Sequence, residues 1–314
     1  MHLNLTKNTQ QTTYLLLILT TVIWGIQPLC IKLLVTQWTP ITITAMRYYL
    51  IGTALIWIAV IRGENFIPPT KCWIPLALMG VTGIGLNNVM QFTGLQYSTV
   101  TNCTLIAASS PAITALFASI WIREKLNLIA WLGIIVSFIG ALIVVSHGSI
   151  DMIIHFDFNK GDILFFSAQI AWTVYSIIAL KVMKEISAAL TTGWAGLSGA
   201  IITTIYGSIS GDFNPHLLNF SMMSAFAYTV VFGGIMAMLF WNIGVKNAGP
   251  SVTSIFQNIT PVVGMIGGTL IFNEIIGFKE LLGALAIFIG VYLTTHNRSL
   301  MFSVLRFIIH HRHS

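Results

Sequence analysis

The chain has 314 residues, a length that on its own suits about two domains of roughly 150 residues each. Hydrophobic residues make up 56% of it and charged residues only 8%, against ~25% charged in an average globular protein. Fifteen basic and nine acidic residues cannot cover the surface of a soluble fold of this size, so the composition excludes one; mean hydropathy is +0.85.

The first apolar run, Tyr14 to Val35, exceeds the ~7–15 residues of a signal-peptide core and no A-x-A site follows, so a retained membrane span is expected rather than a cleaved leader. Stretches of about 20 apolar residues then recur along the whole chain. Ten spans are expected, at 13–35, 41–61, 73–92, 97–121, 128–146, 160–181, 188–209, 221–244, 250–272 and 279–296. Connections are short, the longest being His147 to Asn159, which reads as a linker (147–159) between two halves. With the N-terminus inside, the inner segments hold eleven Lys and Arg and the outer ones three (Lys32, Lys160 and Lys279), leaving Arg47 within a span. Both termini are therefore expected in the cytoplasm. The net charge of +6 becomes a topology signal and an attraction to anionic lipid, with no nucleic acid as partner. The basic tail, 297–314, is expected to lie as an interfacial helix on the cytoplasmic leaflet.

Shifting the chain by 150 residues superposes Gly94 on Gly244, Pro111 on Pro261, Glu124 on Glu274, Gly133 on Gly283, Phe138 on Phe288 and Gly140 on Gly290. Trp24 to Lys32 matches Trp172 to Lys181 more loosely. The halves, 1–146 and 160–296, thus hold five spans each. An odd number makes the second copy enter the membrane from the opposite side. The fold class expected is all-α integral membrane, with ten transmembrane helices in two inverted five-helix repeats. That is a transporter architecture, with the substrate near the midplane.

The stretches Trp24-Gly25 to Lys32, Arg47 after Pro40, Ser109-Ser110-Pro111 to Glu124, and Thr260-Pro261 to Glu274 resemble the drug/metabolite transporter superfamily, in particular its ten-span EamA-type members. The resemblance covers nearly the whole chain. It implies carriage of amino acids or related metabolites, export being the commoner direction, in a bacterial inner membrane. It also implies that spans one, three, four, six, eight and nine line the cavity. Uptake of a nucleoside-like or adenosyl metabolite is the alternative, and a non-transporting membrane subunit a lesser one. Arg47 departs from the repeat, with Trp194 near its equivalent position.

Polar side chains at depth are costly in lipid and are expected to face the bundle interior. They supply the candidate substrate contacts: Trp24, Gln27, Asn87, Gln91, Asn102, Gln169, Trp172, Tyr175, Trp241, Asn242, Gln257 and Asn258. Aromatic rings with amides suit an amphipathic solute. Arg47, Pro111, Glu124, Pro261 and Glu274 are candidates for gating or structure, and Arg47 is also a possible carboxylate partner. The two prolines would kink their helices. Lys32 is expected to snorkel outward. No acid or His falls mid-span, which argues for exchange, facilitated diffusion or potential-driven movement over a proton relay.

No H-E-x-x-H, G-x-S-x-G or paired intramembrane acids are present, so no enzyme and no catalytic residue is expected. Cys30, Cys72 and Cys103 read as small buried hydrophobes. No metal site or cofactor is expected, and the assembly is read as monomer or homodimer.

Overall fold

The computed structural model describes residues 7–121, 126–155, 157–248 and 256–310, with the side chains of 11–117, 119–120, 126–155, 157–179, 181–241, 243–244 and 256–294. The described residues are overwhelmingly helical and contain no strand. Eight of the helices are long and apolar enough to cross a membrane, and a ninth, Phe256–Phe272, is shorter. The last expected span opens a 33-residue helix, Phe278–His310, that continues past residue 296 into the tail. At 1.5 Å per residue it is about 50 Å long, well beyond a ~30 Å hydrocarbon core.

Local sequence sets the boundaries. Span two begins at Pro40, pre-shaped for a first turn, after Thr39 accepts the Thr42 N–H. Asn127, Asn159, Ser187 and Asn219 cap spans five, six, seven and eight in the same way. Span three runs farther than its hydropathy suggests, to Tyr97, because its last turns pack on span six: Gly94 lies against the Phe165 ring and the Gly161 carbonyl.

Spans four and nine are each interrupted. Span four is two helices, Val100–Ala108 and Ser110–Trp121, and span nine opens with a 3₁₀ turn, Phe256–Asn258, before Ile259–Phe272. Pro111 and Pro261 therefore sit in the first turn of a new helix and do not kink a continuous one. A first-turn N–H has no intrahelical acceptor, so the ring costs nothing there.

The helices group into two compact units, each built from both repeats: 1–104 with 159–274, and 105–158 with 275–314. In the second unit, span five (Leu128–Val145) packs on the final helix through four repeat-equivalent glycines. A Cβ on Gly133 would meet Gly290 O at 2.6 Å, and one on Gly140 would meet Gly283 O at 2.7 Å. The lower-numbered glycine of one helix faces the higher-numbered glycine of the other, so the pair is antiparallel and the two copies are inverted. His147, just after span five, pairs with Glu280 of the final helix at 2.8 Å.

The first unit repeats this exchange. Span two packs on span seven, with Gly52 against Gly193. Span one packs on spans eight and nine, and span six on span three, so each first helix crosses the opposite repeat.

Candidate functional site

Spans three and eight each leave the α-helix at the same repeat position. Gly80–Leu86 and Val231–Met236 are π-helical, a wide turn that is rare and often functional. The last π bond runs from Asn87 N–H to Thr82 O in one copy and from Ala237 N–H to Phe232 O in the other, five residues back. When four-residue spacing resumes, the next carbonyl is skipped. It belongs to Gly83 in span three and Gly233 in span eight. Side chains take both: Asn88 Nδ2 donates to Gly83 O at 3.0 Å, and Trp24 Nε1 donates to Gly233 O at 3.0 Å.

Both glycines receive a residue from the opposite repeat's first helix. Gly83 lies under Tyr175, where an added Cβ would come within 2.2 Å of the ring. Gly233 lies under the amide oxygen of Gln27, at 2.1 Å from such a Cβ. In the loose alignment of spans one and six, Gln27 and Tyr175 are equivalent, as are Trp24 and Trp172. Trp172 and Tyr175 stack, 4.9 Å apart with a 16° tilt. Trp24 instead meets Trp241 at 5.2 Å and 45°. The Gln27 oxygen is buried and accepts no hydrogen bond.

Arg47 stands between the repeats' polar residues, 2% exposed. Its Nη2 donates to the Thr229 carbonyl of span eight at 3.2 Å, and Nη1 reaches Asn88 Oδ1 at 3.5 Å. The guanidinium carbon lies 5.2 Å from the Phe92 ring centre and 5.7 Å from that of Tyr48, within cation–π range. Its Nε has no partner.

A second polar cluster closes one end of this unit. Glu274, just past span nine, accepts the Val100 N–H at 2.8 Å and the Thr101 N–H at 3.0 Å, and so caps span four. Thr101 Oγ1 and Lys32 Nζ also donate to it, at 2.8 and 3.0 Å. Lys32 also donates to the Ser98 carbonyl at 3.0 Å, so its ammonium turns inward to an ion pair and does not snorkel. Burial opposes ionisation of Glu274, but the N–H bonds from Thr101 and Val100 and the Lys32 ammonium outweigh it and hold the carboxyl below its ordinary range. Beside it Asp162, fully buried in the first turn of span six, accepts from Ser98 Oγ at 2.5 Å and from Asn102 Nδ2 at 3.0 Å.

The other candidates divide. Asn102 is committed to Asp162, and Asn87 Nδ2 donates to the Ala168 carbonyl at 2.8 Å, bracing span three on span six. Gln169 is buried, whereas Gln91 and Trp241 are half-buried. Gln257 and Asn258 form the 3₁₀ turn that opens span nine. Asn242 has a helical backbone but its side chain lies outside the described residues, as do Glu124 and the side chains of the tail. Asp162 and Ser98 were missed because they lie 64 positions apart at span ends. The available signal was an acid in the first turn of a span, where burial requires polar partners.

Inverted repeats of membrane-spanning helices, exchanging first helices and burying polar atoms where they cross, define a polytopic membrane protein of the transporter type. The chain belongs to the EamA-like transporter family, whose profile matches residues 11–146 and again 159–296. It is 28% identical over 262 residues to the uncharacterized transporter YyaM of Bacillus subtilis, covering 83% of this chain and 86% of that one. An uncharacterized transporter of Archaeoglobus fulgidus is 27% identical, covering 90% of this chain and 97% of its own length. The uncharacterized inner membrane transporter YedA of Escherichia coli is 23% identical, with 87% of each covered. One crystal structure shares the fold, with a TM-score of 0.63 at 16% identity over 92% of this chain and 99% of that one.

Proposed function

We propose that the chain carries a small amphipathic metabolite, an amino acid or a close relative, across a bacterial inner membrane by alternating access, with export as the direction. Both termini are cytoplasmic in this reading. The observation that carries it is the pair of helix crossings at Gly83 and Gly233. At each, a first helix of one repeat meets a π segment of the other, and at Gly233 the Gln27 amide oxygen is left without a hydrogen bond at membrane depth. A buried polar atom without a hydrogen bond costs about 1–3 kcal/mol by mutational measure, which a bound solute would recover. Aromatic rings from Trp24, Trp241, Trp172 and Tyr175 offer apolar contact beside them.

With the N-terminus inside, Lys32, Ser98, Thr101, Asp162 and Glu274 all fall at the outer face. Their cluster then acts as an outer seal, and opening outward separates Lys32 from Glu274. No carboxylate bonds Arg47 among the described residues, which supports exchange or facilitated movement over a proton relay beside it. Proteoliposomes carrying the purified chain and preloaded with unlabelled amino acids are expected to take up external labelled amino acid faster than empty vesicles, by counterflow. Uptake driven only by an imposed pH gradient would instead indicate proton coupling, and Asp162 would be its first suspect.

A further inference from the structure

Arg47 has the composition of half a binding site. A guanidinium carries five N–H donors and keeps its charge at any physiological pH. Here one N–H is given to Thr229 O and one, at 3.5 Å, to Asn88 Oδ1, and the Nε–H has no acceptor. Among the described residues no carboxylate forms an ion pair with it. A buried charge without a counter-charge is among the costliest arrangements a membrane protein tolerates. The Tyr48 and Phe92 rings both lie within cation–π range of the guanidinium. Thr229 and Asn88 fix its orientation, one from each repeat. The Nε–H and the remaining Nη hydrogens form the edge that suits two carboxylate oxygens side by side.

We propose that Arg47 is the anion-recognising residue of the carrier, binding the carboxylate of an anionic or zwitterionic solute and rejecting amines that lack one. The assignment rests on the transport reading and narrows its substrate class. Arg47 has no repeat partner, since Trp194 stands near the equivalent place. One end of the solute is therefore recognised by charge and the other by rings and amides. A cation fixed on the pathway also discriminates against substrates that are only positively charged, by like-charge cost in a low dielectric.

The test reads binding without flux. Thermal unfolding of the purified full-length chain is followed with a panel of monocarboxylates and amino acids, from acetate and 3-phenylpropanoate to phenylalanine. Each is set against its matched carboxamide at equal ionic strength. At least one carboxylate is expected to raise Tm by several degrees where its amide does not. Arg47→Gln is expected to weaken that binding at least tenfold, and Arg47→Lys to keep part of it. If no carboxylate outperforms its amide on the unmodified chain, the proposal is wrong whether or not Arg47→Gln folds. An equal Tm rise in Arg47→Gln overturns it too. Carboxylate-selective stabilisation without flux in proteoliposomes retires the transport reading and leaves the anion site standing. Flux that ignores Arg47 does the reverse.

Discussion

The Gly83 and Gly233 crossings share a backbone and differ in chemistry. In both, a π segment frees one carbonyl, a side chain takes it, and a residue from the opposite first helix lies on the glycine. At Gly83 that residue is Tyr175, stacked on Trp172, and Asn88 satisfies the carbonyl from within the same helix. At Gly233 it is the Gln27 amide with an unpaired oxygen, and the carbonyl is satisfied from across the bundle by Trp24. One crossing is packed shut and the other is left partly unpaired. Duplication fixed the geometry, and divergence gave one copy to packing and the other to polar contact.

The sharpest way to break this comparison is to put the same methyl on each glycine. Gly83→Ala drives its Cβ into the Tyr175 ring and its Cβ, which cannot yield without moving span six, and is expected to cost about 3 kcal/mol. Gly233→Ala meets only the end of a flexible Gln27 side chain and is expected to cost under ~1 kcal/mol. Thermal unfolding of both variants decides it, and equal losses mean the crossings are mechanically alike.

The Lys32–Glu274 cluster gives a reference away from both crossings. Lys32→Met leaves a carboxylate that is 6% exposed without its cation, and is expected to cost about 2 kcal/mol near neutral pH. The pH dependence has a definite sign. Glu274 titrates lower when folded than its ordinary 4.5, so its stabilisation is complete above about 4.5 and is lost as the pH falls through the folded value. Glu274→Gln is expected to flatten the fall of Tm below pH 4.5, and an unchanged acid limb would remove Glu274 from the account.

Trp24→Phe keeps a ring against Trp241 and strips the donor from Gly233 O, an expected cost of about 1 kcal/mol. A loss as large as that of Gly83→Ala would show that the second crossing is as rigid as the first.

The sequence carries the spans and the duplication openly, because hydropathy over 20 residues and a Pro–Glu–Gly register are local signals. Gly133, Gly140, Gly283 and Gly290 mark that duplication in the sequence, while their close approach across one helix pair is seen only in the fold. The π segments are not legible, since the freed carbonyls are taken by side chains that hydropathy does not single out, Trp24 from across the bundle and Asn88 from the next turn. Asn102 read as a pathway amide, but its partner Asp162 lies 60 residues on at a span end and claims it. Lys32 read as snorkelling because its position in the span suggested solvent, and only the fold brings Glu274 to it. Pro111 and Pro261 read as kinks because the apolar runs around them are continuous, while the helices beneath are not.

The smallest expected effect on stability carries the most weight. Gln27→Leu removes a buried oxygen that bonds to nothing, so Tm is expected to hold or rise by the equivalent of up to ~1 kcal/mol. If that amide is kept for the solute, amino-acid counterflow in proteoliposomes should fall at least tenfold in the same variant. Stable protein with lost flux is the result predicted. Stable protein with unchanged flux, or unmodified chain that moves no member of the panel faster than empty vesicles, contradicts the account.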